Sequence, residues 1–505
     1  MADELTKIAE ESTRGGFYLI TGTASATIIM AIASIIIARL LGPELYGQYT
    51  LALITPQLLL LFTDLGINQG IIKFTATFRV KNESHRIKRV IKYGLILRAT
   101  AGTLIFLLNY LLADFFAAML LQRPELAIYI RIAAISVLFQ AIFTTITSAF
   151  VGLDKTEYNA LASNLQASAK AIISLTLVLL GFGIAGAVTG YVASYALAVI
   201  PSLAILAVTV RGYKSDPKPE DDRIVSELKT ILIYGVPLYI SALLSGFIPI
   251  YQNVILAFFA TDADIGNYKA AVNFISLMHV VTVPITTALL PAFSKLNSST
   301  QEKVRTFYKL ANKYTSIVIF PLTFLIILLS KQIVEIIYGH EYHLAPTFLA
   351  IYSLLYFLVG LGYLVLPSLY NGIGETKMTF KMSLIAFATI VSLSPLFTKY
   401  YSVPGLISAF LLANGCGVAY GLYNAKKKFQ ITIEIHKMLK IFLNSAASSI
   451  PVFILLYIGH FPKLITILLC GGLYLLFYLT LTPLTRAITK FELEKLKEIV
   501  KKLNF

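Results

Sequence analysis

Tryptophan is absent from the 505 residues, cysteine occurs twice, and charged side chains make up only 13% of the chain. Each scarcity excludes something. A soluble globular domain carries about a quarter of its residues as Asp, Glu, Lys or Arg. A chain with 13% charged and 57% hydrophobic residues, and a mean hydropathy of +0.77, belongs in a membrane. The two cysteines, Cys416 and Cys470, both lie inside apolar runs, which supports neither a disulfide framework nor a thiolate metal site and leaves the redox compartment unread. Without tryptophan, the 29 tyrosines supply the amphipathic rings expected at the two membrane interfaces. No connection between apolar runs exceeds about 25 residues, so a soluble catalytic domain has no room here.

Acidic residues are also few, 26 against 42 Lys and Arg, for a formal charge of +16. Such basicity can signal nucleic acid, but its placement indicates topology. With the N-terminus taken as cytoplasmic, roughly 33 of the cations fall in segments on that side and a handful on the other. Anionic membrane lipids, not nucleic acid, are the partners that this pattern predicts. The first apolar run reads as a retained span: Asp3, Glu4, Glu10 and Glu11 spoil a basic leader region, and the run is too long for one.

About fourteen runs of membrane-spanning length are present. They lie near residues 16–39, 45–78, 93–112, 128–151, 158–180, 184–210, 231–259, 266–290, 314–329, 347–370, 376–397, 403–423, 438–458 and 464–484. Short motifs repeat along them. Gly47-x-Tyr49 recurs as Gly266-x-Tyr268, Gly152-Leu153-x-x-Thr156 as Gly372-Ile373-x-x-Thr376, and Ile184-Ala185-Gly186-Ala187 as Val403-Pro404-Gly405-Leu406. All three pairs are about 220 residues apart, which is the mark of a duplicated architecture. The expected fold is an all-α integral membrane protein: two parallel six-helix repeats plus two C-terminal helices. Residues 1–210 form an N-lobe of six spans, 211–230 a cytoplasmic linker, 231–425 a C-lobe, 426–485 spans thirteen and fourteen, and 486–505 an amphipathic tail on the inner leaflet. Six spans per repeat bring both repeats in from the same side, and such pairs hold their substrate between lobes.

Polar residues inside spans are costly and therefore point to function. Span eight carries Lys269, Asn273 and Ser276 at helical spacing, with His279 beside them. Span seven offers Ser241, Ser245 and Gln252, with Asn253 adjacent. Span five aligns Ser163, Gln166, Lys170 and Ser174, span three contributes Arg98, and span two Asp64. Three intramembrane cations against one carboxylate suit an anionic phosphate or pyrophosphate headgroup, which Arg meets as a fork and Lys as a point charge. Each has a plainer reading: Asp64 can pair with Arg98, Lys269 can snorkel to the interface, and His279 can be a packed polar residue. Asp64 and His279 are the candidates for ion coupling or a structural pair. Arg131 reads as an interfacial anchor. Gly181-x-Gly183-x-x-Gly186 matches a dinucleotide fingerprint, but it lies in an apolar hairpin with no strand before it. His340-Glu341-x-His343 supplies too few ligands for zinc, so neither metal nor cofactor is expected.

Taken with Arg39-Leu40-Leu41-Gly42-Pro43, Asp64-Leu65-Gly66, Gly152-Leu153-Asp154-Lys155-Thr156, Tyr338-Gly339-x-x-Tyr342 and Gly372-Ile373-Gly374-Glu375-Thr376-Lys377, the chain resembles the polysaccharide-transporter (Wzx-type) flippases of the multidrug/oligosaccharidyl-lipid/polysaccharide exporter superfamily. The resemblance runs over essentially the whole length. It implies a non-enzymatic cell-membrane protein with both termini cytoplasmic. Such a protein turns a lipid-linked oligosaccharide, on a polyprenyl or dolichyl phosphate or pyrophosphate, to the outer leaflet by alternating access. It also implies a cationic cavity lined by spans one, two, seven and eight, onto which Lys269 and the stripes of spans seven and eight map. A monovalent cation, sodium or proton, is the coupling partner common in that superfamily, and glycan-assembly enzymes are the expected neighbours. Span one carries no arginine, unlike the related lipid II flippases, which argues against a peptidoglycan precursor. The competing reading is a multidrug extruder on the same fold, whose members typically place a carboxylate in span one; residues 20–38 have none. A membrane glycosyltransferase would need embedded acids and a sizeable extramembrane loop.

The charge asymmetry makes orientation measurable. A single thiol introduced as Lys428→Cys is expected to react with an impermeant maleimide only from the cytoplasmic side, and labelling from outside would invert the topology.

Overall fold

The computed structural model describes residues 2–213, 239, 243, 246–296, 300–459 and 461–487, with residues 2–20 as backbone only. Among them there is no strand. An α-helix satisfies its backbone within one segment, which is the condition for crossing hydrocarbon.

The helices are α1 (Ala2–Ala52), α2 (Ile54–Leu61), α3 (Ile67–Val80), α4 (Ser84–Leu111), α5 (Ala127–Gly152), α6 (Thr156–Leu177), α7 (Gly183–Arg211), α8 (Gly246–Phe259), α9 (Asp262–Ile275), α10 (His279–Lys295), α11 (Gln301–Ile337), α12 (Ala345–Ser353), α13 (Val365–Gly372), α14 (Thr376–Phe429), α15 (Ile435–Ala447), α16 (Ser449–Ile458) and α17 (Lys463–Leu484). Among the described residues they accommodate thirteen of the fourteen expected spans once breaks are counted, and of span seven α8 is described. Gly42, at φ 74°, separates spans one and two within α1, and Ser402, at φ 51°, separates spans eleven and twelve within α14. Span two is α1 beyond Gly42 with α2 and α3, span eight is α9 with α10, and span ten is α12 with α13. Span nine is longer than expected: α11 starts at Gln301 rather than near Tyr314, because its first turns, rich in Lys and Arg, continue the helix beyond the apolar window.

Two compact units divide the chain at Gly266 and Asn267. In the first, α6 packs on α1 through small residues. Asn164 Nδ2 donates to the Gly22 carbonyl at 3.0 Å and Ser25 Oγ to Asn164 Oδ1 at 2.8 Å. α4, α5 and α7 enclose an apolar cluster that includes Ile87, Ile91, Phe150 and Leu206. In the second, Phe293, Tyr308, Leu366, Tyr370 and Met382 form the corresponding centre. α17 adds Cys470, Tyr474 and Tyr478 against α11 and α16.

The duplication is visible in backbone detail. Gly183 and Ser402, 219 positions apart, share φ near 51° and ψ near −130°. Asp154 and Gly374 both take positive φ just before α6 and α14. A Cβ on Gly152 would meet the carbonyls of Ile71 and Ile72, and one on Gly372 would meet the Leu290 carbonyl and the Ser294 nitrogen, the same joint in the second repeat. The Gly-x-Tyr glycines make one crossing. A Cβ on Gly47 would collide with the Asp262 carbonyl, and one on Gly266 with the Pro43 carbonyl. Each motif is therefore needed for the backbone of the other.

Gly47→Val and Gly266→Val are expected to lower Tm in detergent, since overpacking costs about 1–3 kcal/mol and backbone cannot yield as a side chain can. Gly471→Val, at a position where an added Cβ meets nothing beyond its own helix, is the control and should leave Tm unchanged.

Candidate functional site

Arg98, on α4, is only 2% exposed. Its Nε donates to Thr145 Oγ1 at 3.2 Å, one terminal nitrogen to Thr144 Oγ1 at 2.8 Å, and the other to Thr63 Oγ1. Each hydroxyl is oriented to accept, because its own proton goes elsewhere: Thr63 to the Leu60 carbonyl, Thr144 to Gln140, and Thr145 to Ala141 and to Asn68 Oδ1. This cage surrounds the interruption between α2 and α3, where Leu65 and Gly66 take positive φ. Asp64 lies in the same turn. Its carboxylate accepts the Asn68 N–H at 3.0 Å and makes no ion pair with Arg98 within 4 Å. The direct pairing offered by the sequence is therefore replaced: adjacent hydroxyls on α5, Thr144 and Thr145, and that of Thr63 reach the guanidinium, and Asp64 caps the start of α3. Tyr239 donates to the Leu61 carbonyl, one of those freed by the interruption.

Lys170 differs. It sits on α6, 6% exposed, with Nζ 3.5 Å from Ser34 Oγ on α1 and 5.6 Å from the Tyr191 ring centroid on α7. Among the described residues no carboxylate lies within ion-pair distance. An ammonium removed from water without a counterion costs several kcal/mol, and one long hydrogen bond with a cation–π contact of about 0.5–2 kcal/mol does not offset that. Gln166 and Ser174, on the same stripe, are engaged with α7: Gln166 Nε2 donates to Ser194 Oγ at 3.0 Å, and Gly190 packs on Ser174. The stripe is thus a packing seam holding a lysine that no described carboxylate neutralises, and Gln166 is a partner of Ser194.

On α8, Gln252 and Asn253 are buried, and Gln252 Nε2 and Asn253 Oδ1 find no hydrogen-bond partner among the described residues. Ser241 and Ser245 lie outside the described residues, as do most of 211–230 and 486–505. In the second unit Lys269 is half-buried on α9, again with no carboxylate within reach among the described residues. Asn273 is half-buried one turn on, Ser276 donates to its carbonyl at 2.6 Å, and His279 is exposed at the start of α10. The 3₁₀ turn Ser276–Met278 breaks the span there.

Sequence reasoning missed two groups. Gln140, Thr144 and Ser136 recur every four residues on α5, a signal that was available. Arg131, instead of anchoring alone, pairs with Asp114. Asn267 accepts the N–H groups of Leu344 and Ala345 at 3.1 and 2.9 Å, capping α12, which no local pattern announces. His340 faces Lys463 Nζ at 2.8 Å with Glu335 behind it, a polar surface cluster and no imidazole pair.

If Arg98 is structural and Lys170 is not, their removal has opposite effects on stability. Arg98→Met should lower Tm, at about 1–3 kcal/mol for the acceptors it strands, whereas Lys170→Met should hold or raise it. A fall of equal size in both would remove the distinction.

The fold has solved relatives. A lipid II flippase MurJ structure in an inward closed conformation superposes with a TM-score of 0.73 over 92% of this chain and 97% of that one, at 17% identity. An inward-facing multidrug resistance MATE family transporter of the MOP superfamily gives 0.64 over 82% and 98%, also at 17%. A MOP superfamily transporter from Pyrococcus furiosus gives 0.55 over 83% and 95%, at 18%. A sequence comparison with curated proteins finds no match. Residues 12–297 match the family described as Polysaccharide biosynthesis protein, more than half the chain. The chain has the fold of the MOP superfamily and belongs to the polysaccharide biosynthesis protein family.

Proposed function

We propose that this protein is a flippase that carries a lipid-linked oligosaccharide, on a polyprenyl or dolichyl phosphate or pyrophosphate, from the cytoplasmic to the outer leaflet by alternating access. The observation that carries the reading is Lys170, a buried ammonium with no carboxylate in reach among the described residues. Intramembrane charges are retained for function, and this one is suited to a charge that arrives with the substrate. Lys269, without a counterion among the described residues, is the second candidate for a headgroup contact. Gln252 and Asn253 offer an unmet donor and an unmet acceptor, which suits a hydroxylated sugar better than a hydrophobic cation. Asp64 and His279 are candidates for coupling to sodium or a proton. Arg98 contributes by holding the turn that carries Asp64.

Membership of a polysaccharide biosynthesis family and likeness to a lipid II flippase support a lipid-linked substrate. The likeness to multidrug transporters supports the competing extruder, but residues 20–38 lack a carboxylate to meet a cationic drug. The cell membrane, with both termini cytoplasmic, follows from the lysine-rich side, and glycan-assembly enzymes are natural neighbours.

The test uses purified protein in proteoliposomes, with a fluorescent lipid-pyrophosphate oligosaccharide and a cationic dye run in parallel. Glycolipid movement without dye uptake is expected, and Lys170→Ala or Lys269→Ala should slow it at least tenfold at unchanged membrane insertion. Dye movement alone would assign the protein to the extruders.

A further inference from the structure

At the end of the bundle that carries few lysines, Arg123 emerges from the connection between α4 and α5. Its Nε donates to Asp262 Oδ1 at 2.8 Å, and its terminal nitrogens donate to the carbonyls of Ala260 at 3.0 Å and Ala257 at 3.2 Å. Asp262 Oδ2 accepts from Gln48 Nε2 at 2.8 Å. One guanidinium thereby grips the C-terminal carbonyls of α8 and the first acid of α9, and the same carboxylate is held from α1. These residues flank the crossing of Gly47 with Asp262 and of Gly266 with Pro43.

That crossing is reciprocal in backbone but not in charge. The 219-residue offset places Pro43 opposite Asp262, Tyr342 opposite Arg123, and Asn267 opposite Gln48. In the second unit the corresponding loop is held by Asn267 through two neutral bonds to main-chain N–H groups, and Asn267 is fully buried. In the first unit the side chains of Arg123 and Asp262 are 19% and 12% exposed. A buried neutral joint has nothing to exchange with water and stays made. A rim ion pair can trade its partners for water, so its free energy can differ between two conformations.

We infer that Arg123, Asp262 and Gln48 form a latch that keeps the crossing of α1 with the α8–α9 turn made and parts when that crossing opens. The inference concerns conformation and does not depend on which substrate is carried. A coupling of this kind typically shifts a two-state population 5–150-fold.

The absence of tryptophan provides a background-free reporter. Tyr46, buried beside Gly47 and stacked on Tyr49 at 5.9 Å, is replaced as Tyr46→Trp in the full chain, with Cys416 and Cys470 changed to Ala. Iodide quenching is then measured in detergent without substrate. Asp262→Asn and Arg123→Ala should each raise the quenching constant at least threefold. In the Arg123→Cys/Asp262→Cys variant, a reducible methanethiosulfonate cross-linker should return quenching to the parent value and reductant should raise it again. Unchanged quenching in both single variants overturns the latch. So does raised quenching that the cross-link fails to reverse, which would mean a loosened fold, and so does a double-cysteine variant that cannot be cross-linked.

Discussion

The hydrocarbon core offers no hydrogen-bond partners, and every polar group that this chain places there is arranged around that constraint. Most are resolved locally. Threonine and serine hydroxyls along the helices donate to carbonyls three or four residues back, as Thr315, Ser316 and Thr323 do on α11. Such bonding leaves the oxygen as an acceptor, and three of these oxygens converge on Arg98. A permanent cation is thus accommodated without a buried carboxylate. Lys170 is given one distant hydroxyl and a ring face, and Lys269 no counterion among the described residues. The contrast separates a cation whose partners are all in the fold from cations with no carboxylate in reach among the described residues.

The same constraint governs the helix interruptions. Spans two, eight and ten are each broken, at residues 62–66, 276–278 and 354–364. Freed carbonyls must be met again, and Tyr239 meets that of Leu61. Spans two and eight are equivalents in the two repeats, but their breaks differ in position: the 219-residue offset sets residues 62–66 opposite 281–285, within α10. A titratable group, Asp64 or His279, lies at or beside the break in each half. Irregular backbone at membrane depth is tolerated where protein or a cavity surrounds it, which makes these turns natural places for bending.

Duplication supplied equivalent joints, and divergence assigned them different work. The Gly152 and Gly372 contacts remain alike. The loops at 121–123 and 342–345 do not: one is fixed by an arginine at the rim and the other by a buried asparagine. A transporter needs some contacts that persist through its cycle and others that are exchanged, and neutral buried bonds suit the first as rim ion pairs suit the second.

The residue pattern by itself determined the membrane location, the fourteen spans, the duplication and the sided distribution of charge, including the extra pair of C-terminal helices. These are properties of local transfer free energy and of spacing along one helix, which sum residue by residue. It also singled out Lys170, Lys269, Arg98 and Asp64 as unusual. Only the tertiary structure decided their partners. Arg98 finds its hydroxyl at Thr145, 47 residues away, where the sequence had offered Asp64; Lys170 meets Ser34 across 136 positions, and Arg123 meets Asp262 across 139. Gln166, legible as a polar stripe, is committed to Ser194. Helical periodicity says which residues share a face, but which other helix that face meets depends on how the bundle packs, and the free energy of a buried charge is set by that neighbour.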